Sequence, residues 1–313
     1  MSPKPSLDDI RAAAVRIAPY VHRTPVATSR TLDRELGAEI FFKCENLQKV
    51  GAFKARGAVN AVLALDEPAA ARGVVTHSSG NHAAALAYAA SIRGIPCTIV
   101  MPDDAPAIKV AAVRGYGATI VSCPRPERDA TCARVREELG ATLIHPFTHP
   151  MIIAGQGTAA LELIEQQEGL DAIVTPVGGG GLASGSAITA RGLLTDPLLL
   201  GAEPEAVDDA YRSLASGELQ PGVERPQTLA DGLMTGLGPI NFEILRNSGV
   251  EIVTVTEQAI VEAATFIVLR MKLVVEPSAA TVLAAMRAAA DRLRGKRVGA
   301  ILSGGNTDFG WLR

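Results

Sequence analysis

The chain has 313 residues, 48% hydrophobic and 20% charged, with a net charge of −3. That is enough apolar material for one large domain or two small ones, and the interspersed charges form no basic stripe for nucleic acid. Lys4, Asp8, Asp9 and Arg11 stand where a secretory leader would be apolar, and no window approaches the roughly 18 apolar residues of a membrane span.

The four cysteines, Cys44, Cys97, Cys123 and Cys132, form no Cys-x-x-Cys pair. Three of them lie in or beside apolar runs, where free cysteine behaves as a small hydrophobe. A reducing cytoplasm, with no disulfide and no zinc site, is expected.

In chain order, short apolar runs alternate with longer alanine-rich stretches. Strands are predicted over Ile40–Cys44, Val74–Thr76, Cys97–Met101, Thr119–Cys123, Ala172–Val177, Leu198–Ala202 and Val298–Leu302. Helices are predicted over Ala83–Arg93, Ile108–Tyr116, Ala130–Leu139, Gly155–Gln167, Leu182–Leu194, Gln258–Lys272 and Ala279–Arg294. Strand followed by helix, repeated, means an α/β protein with a mostly parallel sheet. Many strands are unbroken Val/Ile/Leu runs, as expected when helices cover both faces. A (β/α)8 barrel would suit the chain length, but glycine-rich turns and irregular spacing predict open sheets. Arg72–Gly73 and His145–Pro150 read as crossings between two lobes.

The first chemical feature is Lys54, set in Phe53-Lys54-Ala55-Arg56-Gly57-Ala58 just after an apolar run. Apolar surroundings disfavour an ammonium, and a neighbouring cation such as Arg56 is expected to push the same way. A neutral amine is what condensation with an aldehyde cofactor needs. Taken alone, Lys54 reads first as a surface lysine at a helix start, and later loops overturn that.

Three loops leave strand ends, where open α/β sheets bind ligands. His77-Ser78-Ser79-Gly80-Asn81-His82 offers hydroxyls, an amide and main-chain N–H groups at a helix start, which suits a carboxylate; it also reads as an N-cap with turn residues. Gly178-Gly179-Gly180-Gly181-Leu182 lets main-chain amides approach an anion with no Cβ in the way, and phosphate is the natural ligand. Leu302-Ser303-Gly304-Gly305-Asn306 places a serine where it could bond a ligand nitrogen or its own backbone. Gly178-x-Gly180-x-x-Ala183 also matches a dinucleotide fingerprint, with Glu203 where a ribose-binding acid would sit. A nicotinamide oxidoreductase is therefore the rival reading, though it leaves Lys54 and the first loop without a role.

Phe-Lys-x-Arg-Gly-Ala, Ser-Ser-Gly-Asn-His, Ala-Gly-Gln-Gly-Thr (Ala154–Thr158), Gly-Gly-Gly-Gly-Leu and Ser-Gly-Gly-Asn together resemble the fold-type-II pyridoxal-phosphate enzymes, in the serine/threonine dehydratase and serine racemase branch. The resemblance runs from Thr24-Pro25-Val26 to Asn306. It implies two open, mostly parallel sheets flanked by helices, in a large discontinuous domain (1–72 and 150–313) and a smaller inserted one (73–149). It implies that Lys54 holds pyridoxal 5'-phosphate and shuttles the Cα proton. Phe53 packs near the ring, Asn81 bonds the phenolic oxygen, and Gly178, Gly179, Gly180, Gly181 and Leu182 hold the phosphate. Ser303 faces the pyridine nitrogen; its neutral hydroxyl does not enforce a pyridinium, which favours prompt loss of a β-substituent.

Ser78, Ser79, Gly80 and His82 line the substrate carboxylate site in the same resemblance. The implied reaction converts L-serine, L-threonine or threo-3-hydroxyaspartate to a 2-oxo acid and ammonia. Ser79 can return a proton to the opposite face, so racemisation stays open as a side or main activity. Arg128 is aligned with an arginine that contacts acidic ligands; it could also be a surface arginine at a helix start. Met151-Ile152-Ile153 replaces the serine triplet associated with aspartate racemisation. Glu203, Asp209 and the Val207 carbonyl match a family loop for Mg2+ or Ca2+.

A homodimer is implied. Ala84 replaces a glutamine of the nucleotide-activated members, and the chain stops shortly after Asn306, so neither nucleotide activation nor an isoleucine-sensing domain is expected. A cofactor-binding but catalytically silent protein is the remaining class, which the intact Lys54, Ser79, Asn81 and glycine turn argue against.

Overall fold

The computed structural model describes residues 3–78, 80–105 and 107–312. Strands are β1 (Val26–Ala27), β2 (Glu39–Cys44), β3 (Val74–His77), β4 (Cys97–Pro102), β5 (Thr119–Cys123), β6 (Thr142–Leu143), β7 (Ala172–Pro176), β8 (Leu198–Pro204), β9 (Glu251–Val255) and β10 (Arg297–Leu302). They form a six-stranded sheet in the order β1-β2-β10-β7-β8-β9 and a four-stranded sheet in the order β5-β4-β3-β6. Every pairing is parallel except β1 with β2. These are open sheets, not a closed barrel.

Helices cover both faces of the larger sheet, which is why β7 and β10 read as apolar runs. On one face Phe42, Val174, Leu200 and Ala300 pack with Leu283 and Met286 of the helix Pro277–Ala288. On the other, Phe41, Ile173, Leu199 and Ile301 pack with Leu163 of the helix Pro150–Gln166. In the smaller sheet Val74, Ile99 and Met101 pack with Leu86 and Val59, while Val75 and Val100 face Cys132 and Val135. All four cysteines are buried and unpaired. Among the described residues no helix is long and apolar enough to cross a membrane.

Each strand named from the sequence is present, with ends displaced by at most a few residues. The short β1 and β6, and β9 with its mixed burial, carried no run of apolar residues long enough to mark them. The helices Leu7–Ile17, Arg30–Leu36, Lys54–Leu63, Glu67–Arg72, Asp209–Ser216 and Pro239–Asn247 were likewise not anticipated. Several of these are short, and Lys54–Leu63 is buried almost throughout, so no polar face alternates with its apolar one.

The helix expected over Gln258–Lys272 stops at Phe266 and continues as a π turn, Ile267–Met271, ended by Lys272 at φ 62°. The one expected over Ala279–Arg294 is interrupted at Ala289.

Candidate active site

After β2 the chain makes two 3-10 turns, Glu45–Leu47 and Lys49–Gly51, and then enters the helix Lys54–Leu63. Val50 (φ 56°) and Gly51 (φ 71°) supply the sharp reversal. The turn is pinned to the loop after β10: Ala52 bridges Gly304, and the Phe53 N–H donates to the Ser303 carbonyl at 2.9 Å. Lys54 therefore starts its helix beside buried Ser303.

The Lys54 Nζ donates to the Pro146 carbonyl at 3.0 Å and lies 5.1 Å from the centre of the Phe53 ring. Burial lowers its pKa to about 8, and the nearby Glu276 charge opposes that shift.

Arg56 does not act on Lys54 as the sequence suggested. Its fully buried guanidinium donates to both Glu45 oxygens (2.7 and 2.8 Å) and to both Glu162 oxygens (2.7 and 2.9 Å). Lys43, also buried, bonds Glu162 (2.6 Å), Gln166 (2.7 Å) and the Thr24 carbonyl (2.8 Å). Two cations and two carboxylates thus neutralise one another between β2 and the helices Lys54–Leu63 and Pro150–Gln166. The Lys54 shift comes from desolvation, with no contribution from Arg56.

The glycine turn follows β7 and opens the helix Gly181–Leu193, with Gly180 at φ 87°. A Cβ on Gly179 would lie 2.3 Å from the Phe147 ring, and one on Gly178 2.9 Å from the Leu233 backbone. The Gly179 N–H donates to Thr235 Oγ1 (3.0 Å), and Asn241 Nδ2 ties the Gly179 and Phe147 carbonyls together (2.5 and 3.0 Å). Pro146 accepts from Lys54 and the next residue packs on Gly179, so one short segment brings the amine to the glycine turn. The helix start behind the turn presents N–H groups that its own ladder leaves unpaired.

Asn81 begins the helix Asn81–Arg93, and its Nδ2 donates to both oxygens of Glu276 (3.1 Å each), while its Oδ1 accepts from Asn306 (2.9 Å). Ser78 Oγ accepts from the Gly80 N–H (3.2 Å). His82 is buried, its Nε2 bonded to the Ile144 carbonyl (3.0 Å) and its Nδ1 without a partner. Burial holds the His82 pKa down at about 3 and that of His145 at about 4. Both rings are neutral at ordinary pH. Ser79 lies outside the described residues.

Arg128 starts the helix Arg128–Leu139, one-third exposed, with its Nε 3.3 Å from Asp129 Oδ1. The same Asp129 oxygen is 3.3 Å from His77 Nδ1, and the His77 ring stands edge-on to His145 at 6.2 Å.

Glu276 was missed from the sequence. It is buried, its pKa raised to about 7 chiefly by desolvation. Its signal was an isolated acid in the apolar run before Pro277, where a helix starts. Pro146 and Phe147 act through backbone position and packing, which left no sequence signal.

Away from the cleft, Glu203, Val207 and Asp209 are buried together. The Glu203 oxygens accept from the Ala210 and Tyr211 N–H groups (2.9 and 2.8 Å), and Asp209 Oδ2 accepts from Leu237 N–H (2.7 Å). Desolvation raises the Glu203 pKa to about 8 and also raises that of Asp209. Glu203 is thus turned inward and is not open to a ribose, which removes the dinucleotide reading. Among the described residues no cluster of three or more His, Cys, Asp or Glu side chains is placed to hold a metal; this set has two carboxylates and a main-chain carbonyl.

A partly buried lysine beside a glycine-lined helix start, at the strand ends of an open α/β sheet, defines the fold-type-II class of pyridoxal-phosphate enzymes. The profile described as "Pyridoxal-phosphate dependent enzyme" matches residues 17–304, and the chain belongs to that family. It is 49% identical over 311 residues to a serine racemase of Dictyostelium discoideum, covering 97% of this chain and 95% of the relative. It is 47% identical over 307 residues to a beta-hydroxyaspartate dehydratase of Paracoccus denitrificans, covering 97% of each. The crystal structure of the Dictyostelium serine racemase superposes with a TM-score of 0.93, covering 97% of this chain and 99% of that one.

Proposed function

We propose that this chain is a pyridoxal-phosphate-dependent ammonia-lyase that dehydrates a small β-hydroxy amino acid to a 2-oxo acid and ammonia. The observation that carries the reading is Lys54: a desolvated amine with a pKa near 8, held by a carbonyl instead of a carboxylate, on the segment that abuts the glycine turn. The residues fit the cofactor. A Cβ on Gly178 or Gly179 would collide with Leu233 or Phe147, so the turn admits only glycine there, and the helix start behind it leaves N–H groups unpaired for an anion.

When bound, pyridoxal phosphate supplies the electron sink that acidifies the Cα–H of an amino acid. Gly178–Gly181 and the Leu182 amide would hold the phosphate, Phe53 would flank the ring, and Asn81, bonded to Glu276, would bond the phenolic oxygen. Ser303 presents a neutral hydroxyl to the pyridine nitrogen. Lys54 takes the Cα proton; a pKa near the working pH suits it to that transfer. Ser78, Ser79, Gly80 and His82 receive the α-carboxylate, His82 as a neutral ring. The β-hydroxyl would take up a proton and leave as water, balancing the proton lost from Cα, and addition of water to the unsaturated amino acid would give the 2-oxo acid and ammonia.

Racemisation is the second reading, favoured by the 49% identity to a serine racemase; Ser79 is then the base on the opposite face. Glu203, Asp209 and the Val207 carbonyl are hard oxygen donors of the kind that Mg2+ or Ca2+ takes, and they would hold such a cation with water. A cytoplasmic homodimer, with 73–149 as a small domain inserted in the rest of the chain, completes the reading.

The test uses purified protein loaded with pyridoxal phosphate. Ammonia release is measured from L-serine, L-threonine and L-threo-3-hydroxyaspartate, together with D-isomer formation, before and after chelation, and light scattering gives the assembly state. Lys54→Ala should lose the cofactor's visible band and all turnover. A stable band with neither ammonia nor D-isomer from any of the three would overturn the activity. Identical turnover and melting temperature after chelation would remove the cation.

A further inference from the structure

We propose that Asn241 is a positioning residue for the phosphate cradle: its side-chain amide draws the Gly179 carbonyl back and thereby aims the Gly180 N–H at the phosphate. The proposal rests on the cofactor reading, with Gly178–Gly181 around the phosphate, and is independent of the reaction that follows.

Asn241 lies in the first turn of the helix Pro239–Asn247 and is fully buried. Its Nδ2 donates to the Gly179 carbonyl at 2.5 Å and to the Phe147 carbonyl at 3.0 Å, and its Oδ1 accepts from Ser184 Oγ at 3.2 Å. A carbonyl only accepts, so both must face the NH2 end, and this fixes which way the amide points. The Gly238 N–H gives the Gly179 carbonyl a second donor at 3.2 Å. On the other side of the same residue, the Gly179 N–H donates to Thr235 Oγ1 at 3.0 Å. The two peptides that flank Gly179 are thus both pinned from outside the turn.

A trans peptide points its N–H away from its carbonyl. With the Gly179 carbonyl drawn towards Asn241, the Gly180 N–H faces the other way, and it finds no acceptor among the described residues. Next in the chain come the unpaired N–H groups at the start of the helix Gly181–Leu193. Four successive glycines put no side chain in the way of rotation, so these peptides would turn freely if nothing held them. The Asn241 clamp removes that freedom, and the donor is set before an anion arrives. The bond to Phe147 extends the effect, because Pro146, one residue earlier, accepts from Lys54. One buried amide ties the anion donors to the segment that holds the amine.

The alternative is that Asn241 only satisfies two buried carbonyls, a task that an internal water performs elsewhere in proteins. The two roles part at the ligand. A residue that positions the cradle matters only to a ligand that carries a phosphate.

The test titrates cofactor-free protein with pyridoxal 5'-phosphate and with pyridoxal, which has the same aldehyde and no phosphate, and follows the visible band. Asn241→Leu roughly keeps the volume and removes both donors. It should weaken pyridoxal phosphate by about ten- to a hundredfold, the loss expected when charge-assisted hydrogen bonds are misdirected, and pyridoxal by less than about twofold. Ser184→Ala frees the amide to turn and should show the same selectivity at about two- to fivefold. Inorganic phosphate should compete with pyridoxal phosphate more weakly in Asn241→Leu than in the wild type. Equal losses for the two aldehydes, or an unchanged ratio of their affinities, overturns the proposal. If Asn241→Leu does not fold, Ser184→Ala and Asn241→Ser, which retains one donor, decide by the same ratio. A wild type that binds both aldehydes alike would show that the glycine turn does not hold phosphate, and the cradle and this proposal fail together. A loaded wild type that releases neither ammonia nor D-isomer sinks the lyase reading alone, and the ratio of affinities still decides the role of Asn241.

Discussion

Two lysines on either side of one pair of tight turns have been taken out of water in opposite ways. Lys43 is surrounded by acceptors, a carboxylate, an amide oxygen and a carbonyl, within a cluster whose charges cancel. Lys54 has one carbonyl and an aromatic ring. Burial pulls down the pKa of both, but Glu162 counteracts it strongly at Lys43, and only a bonded-away Glu276 does so at Lys54. A paired buried charge fixes structure; an unpaired one is available for chemistry. The lesson is that reactivity here is set by what has been kept away from Lys54, with its sequence neighbour Arg56 bound elsewhere.

The largest way to break the contrast is Arg56→Met. It would leave Glu45 and Glu162 buried without their shared cation, at a cost of about 3–5 kcal/mol in stability. Urea denaturation should show a much lower midpoint, and a midpoint within error of the wild type would mean that the cluster does not hold this part of the fold. Lys43→Met should cost less, since Arg56 still neutralises Glu162.

Gly179→Ala comes next. Its Cβ would meet the Phe147 ring, and overpacking of this kind costs about 1–3 kcal/mol. Cofactor retention on dialysis should fall as well. Gly115→Ala, with nothing within 4 Å of the new atom, is the control and should be nearly neutral. Equal behaviour of the two variants would argue against a crowded turn.

The smallest effect concerns pH. Only the neutral form of Lys54 condenses with an aldehyde, and its fraction rises with pH. Capture of pyridoxal phosphate by cofactor-free protein should therefore accelerate through a midpoint of about 8. Glu276 holds the Lys54 pKa up, so Glu276→Gln should move that midpoint to lower pH. Lys43→Met should leave it in place. A midpoint above 10 in the wild type would show that Lys54 is solvated in solution.

Much of the architecture was legible because buried parallel strands leave a simple trace: β2, β4, β7, β8 and β10 are each built on a short apolar stretch, such as Ile40–Phe42 in β2 and Leu198–Leu200 in β8. The candidate site residues were legible for a different reason. Lys54, Asn81, Ser303 and Gly178–Gly181 sit in short motifs whose local chemistry is unusual. Glu276 was not legible, since a lone acid before a proline looks like a helix start until the chain folds it onto Asn81. The electrostatic role first read for Arg56 failed because adjacency in sequence is not adjacency in space. As the second residue after Lys54 in the same helix, it points to another face.

The sequence by itself determined the α/β class, the positions of seven strands and most of the reactive groups, because periodicity and side-chain chemistry are local properties. Only the tertiary structure decided which charges meet. It gave Arg56 to Glu45 and Glu162, Glu276 to Asn81, Asp129 to His77 and Arg128, and a carbonyl to Lys54. Desolvation and Coulomb energy depend on distance and burial in three dimensions, and no spacing along the chain encodes them.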